Sequence, residues 1–335
     1  MGSGQRGSSV TIREDLKEAM MELDFSDVIL AADIVAPTAP VTADVGRYPT
    51  FPRENILRYF DTRRHRDGSY SRGLWEWGDD SYITYEYGFE EVIDNVSALR
   101  DAAFIDHEVM SSKLAYHNLV MARESRVASA LLNTTTFTGA TNTTSITNEW
   151  DDATNATPWA DIDGAAKKIR AKSALSKSVL TVILSEDLID YAIRSDEVKD
   201  FVKYTSNNAE IVARSNLQAR ANWLASYFGV MRVVPTLALY DTAKWAQSSS
   251  TMGKFWSNEY IFVGYIPTGP MSIQTPSAIK QLVWTRYSND FVAETYDEDK
   301  YNQRVVRARE YRGIKVNTDF GHLLTNAKTT VSNGI

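Results

Sequence analysis

Hydrophobic residues change their spacing several times along this chain, and the longest regular stretch predicts a helix. Between residues 99 and 133, apolar side chains recur every three or four positions, with no proline or glycine among them. A helix of that length would span about 50 Å, longer than most helices of globular proteins. We therefore expect a spine helix at 99–133, along which the rest of the chain is organised.

Shorter helices and buried strands are predicted on the C-terminal side of this helix. One helix begins at Pro158, because proline suits the first helical turn, and another begins at Ser185, a capping residue followed by two acids. Further helices are predicted at 195–204 and 216–228, and strands at 178–184, 230–234, 260–265, 280–285 and 304–324. Helices and strands mix without a regular βαβ rhythm, so we expect the α+β class.

The first 46 residues are typical of an arm and not of a core domain. Residues 1–9 are small and polar, which predicts a flexible tail. Thr11 and Glu14 have the spacing of a capping box, and an amphipathic helix through Leu23 would follow them. Val35–Val41 contains two prolines, which predicts an extended linker because each proline disfavours helix in the residue before it.

The segment 47–94 combines an unusual charge pattern with few aliphatic residues. Six arginines lie within 53–72, whereas 76–94 holds seven acids and no lysine or arginine. Asp67-Gly68 is a hairpin-turn signal, and Ser81–Tyr87 is rich in aromatic and β-branched residues that favour a strand. A two-stranded excursion is marginally stable alone in water. We therefore predict a long hairpin that lies on a neighbouring subunit.

Charged and aromatic residues of this hairpin are the candidate contacts between subunits. They are Arg63, Arg64, Arg66, Trp75, Trp77, Glu76, Asp79 and Asp80. The run of arginines with aromatic neighbours could also bind phosphates of a single-stranded nucleic acid. The acidic run that follows favours docking on complementary protein neighbours instead.

Composition and motif searches point away from chemistry. The chain has 335 residues, a net charge of −7 and no cysteine, which excludes disulfides and thiolate metal sites. His107 and His117 are ten residues apart, not at ligand spacing, and Asp161-Ile-Asp163 begins like a calcium loop but lacks its terminal glutamate. We expect no catalytic residue, cofactor or metal. The N-terminus lacks a signal peptide and no apolar run suits a membrane span, so we expect a cytoplasmic protein or a particle assembled there.

Several segments, in this order and spacing, resemble tailed-bacteriophage major capsid proteins with the Hong Kong 97-type fold. They are Ser81–Asp94, Met121–Leu131, Trp159–Ile169, Thr181–Leu188, Asn222–Val230 and Ile261–Pro267. The resemblance covers most of the chain from about residue 47 onward.

The resemblance implies a division of the chain into an N-terminal arm, an extended β-hairpin loop, a peripheral domain with a spine helix, and an axial domain. The expected ranges are 1–46 for the arm, 47–94 for the hairpin loop, 95–175 for the peripheral domain, 176–290 for the axial domain and 291–335 for the return to the peripheral domain.

The resemblance also implies the function and the partners. Copies of the chain would form hexamers and pentamers of an icosahedral head in the host bacterial cytoplasm, enclosing double-stranded DNA without sequence-specific binding. Scaffolding and portal proteins are the implied partners, with a decoration protein as a further one, and no membrane is involved. An encapsulin-like shell of a cellular nanocompartment is the alternative on the same fold. A hydrolase or a nucleic-acid-binding enzyme is a remote alternative.

Overall fold

Two sheets and one long helix organise the molecule. The computed structural model describes residues 11–12, 30–50, 55, 57–64, 66, 68, 70, 72–73, 76–101, 106–205, 215–243, 252–285 and 291–329. Within these residues, a six-stranded and a five-stranded sheet form the body, and two ribbons of two strands each lie outside them. Helices and long strands of both pairing directions occur together, so the expected α+β class is confirmed.

The elements are numbered here in chain order. The strands are β1 Thr11–Ile12, β2 Thr38–Val41, β3 Val45–Thr50, β4 Gly78–Ile83, β5 Tyr85–Asp94, β6 Thr143–Ser145, β7 Thr181–Ser185, β8 Arg232–Thr236, β9 Leu239–Asp241, β10 Met252–Lys254, β11 Ile261–Gly264, β12 Ile279–Trp284, β13 Val292–Glu298, β14 Gln303–Val316 and β15 Gly321–Thr325. The helices are α1 Ala32–Val35, α2 Asn95–Asp101, α3 His107–Leu131, α4 Pro158–Ser173, α5 Glu186–Arg194, α6 Asp196–Thr205 and α7 Leu217–Phe228.

The larger sheet is built around β14, which is 14 residues long. Its strands follow the order β1-β13-β14-β12-β2, and β5 pairs with β14 as well. Ten consecutive residue pairs join β5 to β14 in antiparallel register, from Tyr85 opposite Arg312 to Asp94 opposite Gln303. Because the pairing is so long, it fixes the positions of the segments that are attached to the two ends of β14.

The smaller sheet has the strand order β6-β15-β11-β7-β8. Helices α4, α5 and α7 cover one of its faces, where Ile162, Leu188 and Leu224 pack against Val182 and Val263. All five side chains are fully buried. The sequence predicts these helices correctly because each has a clear start signal: Pro158 in the first turn, and side-chain caps from Ser185 and Asn216.

The spine helix α3 begins later than the spacing of apolar residues predicts. It spans the 25 residues His107–Leu131, about 37 Å at the rise of an α-helix. Asp106 has extended backbone angles, and its carboxylate accepts hydrogen bonds from the backbone N–H groups of Glu108 and Val109. The prediction of one uninterrupted helix from residue 99 is therefore wrong at this end, because an N-cap aspartate starts a new helix after α2.

The spine helix packs against both sheets. Ala115 and Leu119 in its first half contact the larger sheet, where Val306 is completely buried. Val127 and Leu131 in its second half join the cluster on the smaller sheet's other face. The helix thus holds the two sheets in one body.

Two expectations for the N-terminal segment are corrected. Thr11–Ile12 is not the start of a helix but a short strand, antiparallel to β13, and the remainder of the predicted helix lies outside the described residues. The predicted extended linker contains β2, which pairs in parallel with β12. Residues 38–41 are extended as expected, but they belong to the larger sheet, because a neighbouring strand satisfies their backbone groups. Val35 is not extended, since it ends helix α1.

Candidate functional site

The hairpin is formed by β3 and β4, which pair in antiparallel register from Val45 opposite Ile83 to Thr50 opposite Gly78. Buried Thr84 separates β4 from β5, and both its N–H and its hydroxyl donate to the carbonyl oxygen of Asp44, at 2.7 and 3.0 Å. These two hydrogen bonds close the base of the hairpin. Residues 85–94, predicted to lie within the hairpin loop, are the β5 strand of the larger sheet.

Asp80 fastens the hairpin to β14. Its carboxylate accepts hydrogen bonds from Lys315 Nζ at 2.7 Å and from the Tyr48 hydroxyl at 3.0 Å. Partial burial opposes ionisation, but these hydrogen bonds outweigh it and hold the pKa of Asp80 below its usual value. Asp79 pairs with Arg47 across the hairpin at 3.4 Å with both side chains exposed, which contributes little to stability. Asp79 and Asp80, predicted to contact a neighbour, thus have partners within the chain.

The far part of the hairpin is basic and aromatic. Arg63, Arg64 and Arg66 are all exposed. Arg64 Nε donates to the carbonyl oxygen of Gly68 at 3.0 Å, and its guanidinium lies 4.9 Å from the ring centre of Tyr70. These contacts order the described part of this region, hereafter the hairpin tip, which comprises residues 57–64, 66, 68, 70 and 72–73.

The other candidate contacts lie where the tip joins β4. Trp77 is 68% exposed, an unusual placement for a tryptophan. Glu76 is exposed as well, and its carbonyl oxygen accepts from the side-chain amide of Asn55 at 2.8 Å. Trp75 lies outside the described residues. The assignment of these residues to contacts between subunits stays a prediction.

Part of the acidic run after the hairpin is neutralised inside the chain. Glu90 accepts from Arg307 at 2.6 Å, and Glu86 accepts from Arg309 at 3.1 Å. Both arginines lie on β14 and also pair with buried Glu294. The charge reversal seen in the sequence therefore follows partly from the pairing of β5 with an arginine-rich strand.

A buried ion cluster beneath the sheet was missed by the sequence analysis. The fully buried carboxylate of Glu310 accepts from Arg123 at 2.5 Å, from Arg126 at 2.6 Å and from Arg312 at 2.8 Å. Arg123 also pairs with Asp33 of helix α1. The sequence did contain a signal for this cluster: the spine helix has charged residues at positions where its spacing pattern calls for apolar ones. Removing one partner of such a cluster lowers the free energy of unfolding by about 3–5 kcal/mol.

The described residues hold no group of three or more His, Asp or Glu side chains that could bind a metal ion. Of the calcium-like pair, Asp161 accepts from Trp150 Nε1 at 2.9 Å, and Asp163 pairs with Lys177 at 3.0 Å and with Lys167 at 2.8 Å. Among the described helices, none is both long and apolar enough to cross a membrane.

No protein-family model matches the sequence, and no curated protein matches it. Solved structures do match. A phage-related protein from Bordetella bronchiseptica RB50 gives a TM-score of 0.68 at 18% identity, covering 95% of this chain and 98% of that chain. The mature capsid of bacteriophage PhiM1 gives 0.50 at 11% identity, covering 97% and 90%. The chain has a phage capsid fold.

The capsid fold extends over nearly the whole chain. A virus-like particle from Pyrococcus furiosus also matches, with a TM-score of 0.52 at 13% identity over 93% of this chain and 96% of that chain. The capsid fold expected from the sequence is therefore confirmed. Sequence identities this low show a shared fold and nothing more.

Proposed function

We propose that this chain is the major capsid protein of a tailed bacteriophage, which assembles into hexamers and pentamers of an icosahedral head. The hairpin carries this proposal. Its base is fastened to β14, whereas its tip exposes Tyr59 by 92% and Tyr70 by 68%. A neighbouring copy would bury these aromatic side chains, and each would then contribute about 2–3 kcal/mol.

Symmetry multiplies such modest contacts. A head-to-tail contact between identical subunits closes into a ring when the rotation allows it, and every ring repeats the same contact. The shell would enclose double-stranded DNA without sequence-specific binding, which suits the net charge of −7. Scaffolding and portal proteins, with a decoration protein as a further partner, would complete a head assembled in the bacterial cytoplasm. The role is structural, with no catalysis.

The division of the chain into arm, hairpin loop, peripheral domain and axial domain belongs to this proposal. The sheets qualify its boundaries, because β6 and β15 lie outside 176–290 and still pair within the smaller sheet. We therefore assign the axial domain to the smaller sheet with its helices, and the peripheral domain to the larger sheet with the spine helix.

A nanocompartment shell is the alternative, since the fold is also found in a virus-like particle from Pyrococcus furiosus and not in phage capsids alone. The contents of purified shells distinguish the two functions. Packaged double-stranded DNA, or shells that fill only in the presence of phage packaging proteins, would support the phage head. A stoichiometric cargo protein would support the compartment.

Electron microscopy of the concentrated, purified protein tests the proposal. We expect shells, tubes, or rings of five or six copies. A variant in which Gly-Gly replaces residues 58–73 keeps β3, β4 and the Asp80–Lys315 bond, so it should remain folded and monomeric. Circular dichroism and thermal unfolding verify the fold. Shells of this variant at normal yield would contradict the role given to the hairpin.

A further inference from the structure

Four aromatic side chains form a row across the helices that cover the smaller sheet. Phe201 on α6 packs edge-on against Tyr227 on α7 with ring centres 5.0 Å apart, and Trp223 stacks on Tyr227 at 5.5 Å. Trp159, in the first turn of α4, donates its backbone N–H to Glu197 Oε2 at 3.1 Å. Glu197 lies four residues before Phe201, on the same side of α6. The four rings are hereafter the aromatic patch.

Much of the aromatic patch is open to solvent. Phe201 is 47% exposed and Trp159 is 44% exposed, whereas Val198 and Val202 on the other side of α6 are buried. Large aromatic side chains are mostly buried in folded proteins, and groups of them at the surface mark contact sites for other molecules. The patch therefore has the character of a binding surface.

Two carboxylates lie beside the aromatic patch. Among the described residues, the carboxylate of Asp161 accepts only from Trp150 Nε1 at 2.9 Å, and that of Glu197 accepts only from the N–H of Trp159. Partial burial raises the pKa of both acids, and the charge of Asp161 raises that of Glu197 further. Burial, followed by the charge of Glu197, also raises the pKa of Tyr227 to about 12, so this carboxylate acts directly on the row of rings.

The six other acids of helices α4 to α7 all form ion pairs within the chain. The pairs are Asp163 with Lys167 and Lys177, Glu186 and Asp190 with Arg220, Asp187 with Lys254, Asp196 with Lys199, and Asp200 with Lys203. Asp161 and Glu197 are different, since within the described residues no lysine or arginine pairs with them. Two partly buried charges that repel each other make folding less favourable, and a cation from outside would offset this.

The aromatic patch suits a guanidinium as that cation. Lys177 Nζ already lies 4.7 Å from the ring centre of Trp159, so this ring attracts positive charge within the chain itself. A guanidinium is planar, so it can stack on an aromatic ring while its N–H groups bind a carboxylate in pairs. Apolar side chains next to the arginine would cover the exposed edge of Phe201.

Charge complementarity decides which kind of molecule would supply the arginine. A second copy of the chain carries a net charge of −7 and is repelled by a surface with two uncompensated carboxylates. Nucleic acid is repelled for the same reason. A basic segment of another protein is attracted, and arginine with aromatic partners dominates binding energy at protein interfaces.

We infer that the aromatic patch, together with Asp161 and Glu197, is a docking site for a segment of another protein that carries an arginine between apolar residues. The inference goes beyond the proposed function, because the single chain is sufficient to bind such a segment and no shell is needed.

A matched pair of peptides tests the site. The probe is acetyl-Leu-Arg-Leu amide, and the control peptide has citrulline in place of arginine, which keeps the shape and removes the charge. NMR titrations that follow the peptide signals measure both affinities for the full chain. The arginine peptide should bind at least about tenfold more tightly. Equal affinities, or no binding of the arginine peptide, would overturn the inference.

Three variants separate the contributions of charge and rings. D161N/E197Q keeps oxygens that accept from Trp150 and Trp159, and it should reduce the preference for arginine to within about twofold. F201S should weaken both peptides by at least about threefold and keep the preference. D200N, which removes an acid of α6 already paired with Lys203, is the control and should bind like the native chain. Circular dichroism verifies the fold of each variant. If D161N/E197Q kept the full preference, the arginine would bind elsewhere.

Assembly experiments distinguish another protein from a second copy as the occupant. The folded D161N/E197Q and F201S variants should form shells at normal yield, and native shells should bind the arginine peptide within about threefold of the free chain. Folded variants that form no shells, or shells that do not bind the peptide, would mean that another copy covers the aromatic patch, and the inference would be wrong. If the native chain itself formed no shells, the proposed function would fail, whereas peptide binding by the free chain would still support this site.

Discussion

Glu124 shows how one residue joins the N-terminal segment to the spine helix. Its buried carboxylate accepts from the backbone N–H groups of Ala31 and Ala32 at 3.0 and 2.8 Å, and from Trp256 Nε1 at 2.5 Å. Burial raises the pKa of Glu124, and the three hydrogen bonds counteract it. The start of α1 is thereby tied to the spine helix.

His322 is the residue whose titration we expect to govern stability in acid. It is fully buried; its Nδ1 donates to the carbonyl oxygen of Thr141 at 3.0 Å, and its Nε2 accepts from the Thr144 hydroxyl at 2.8 Å. Lys168 in turn donates to the same hydroxyl oxygen. Burial, aided by Lys168 and Lys172, lowers the pKa of His322 to about 4.

We predict that the native protein loses stability between about pH 6.5 and pH 4 and that H322Q loses less. In this window the unfolded chain binds a proton at this histidine and the folded chain does not. The free energy of unfolding therefore decreases as the pH is lowered. Urea unfolding at pH 7 and pH 4.5 measures it. H107Q, outside this hydrogen-bond chain, is the reference. An equal loss in H322Q and the native protein would contradict the prediction.

At the scale of elements, the hairpin depends on a close approach between its base and β14. An ideal Cβ built at Gly313 would lie 2.2 Å from the carbonyl oxygen of Ile83. No side chain fits in that space, so glycine is required there for reasons of contact and not of backbone angle. The same approach lets Lys315 reach Asp80 and the carbonyl oxygen of Ser81.

We predict that G313A displaces the hairpin base while both sheets stay folded. Amide hydrogens at Ile83 and Thr84 should then exchange at least about tenfold faster, since local opening becomes easier, and the yield of shells should fall. Hydrogen exchange with mass spectrometry measures the first effect. G164A is the control: nothing lies within 4 Å of that Cβ, and alanine in a helix should stabilise it by about 1 kcal/mol. Unchanged exchange in G313A would contradict the prediction.

At the scale of the whole molecule, net charge and local charge act in opposite directions. The chain carries −7 overall, so approaching copies would repel one another, while the basic hairpin tip would attract acidic residues of a neighbouring copy. Salt screens charges over about 30 Å at 0.01 M, about 10 Å at 0.1 M and about 3 Å at 1 M. The long-range repulsion is therefore screened at lower salt than the close contact.

We predict that assembly speeds up from about 10 mM to about 150 mM sodium chloride and slows again towards 1 M. Light scattering follows the rate at a fixed protein concentration. A rate that rises steadily to 1 M would mean that apolar contacts dominate the interface and would contradict the prediction.

The sequence by itself determined the elements whose signals are local. Pro158, Ser185 and Asn216 start helices with their own side chains or ring, and Gly229 ends one in a left-handed conformation at φ 68°. The run of arginines followed by acids likewise identified the hairpin and its charge. These features depend only on residues a few positions away, so they can be predicted from the sequence without knowing the tertiary structure.

The tertiary structure alone decided which distant residues meet. Thr11–Ile12 became a strand because β13 offered it a partner, and the acidic run proved to be partly neutralised because β5 lies against β14. The Glu310 ion cluster joins residues almost 190 positions apart. Pairing of this kind depends on the register of long strands, which no local pattern specifies. Helix α2 and the turn between β13 and β14 meet for the same reason: they are remote in sequence, and Asn95 bonds Asn302 where they touch.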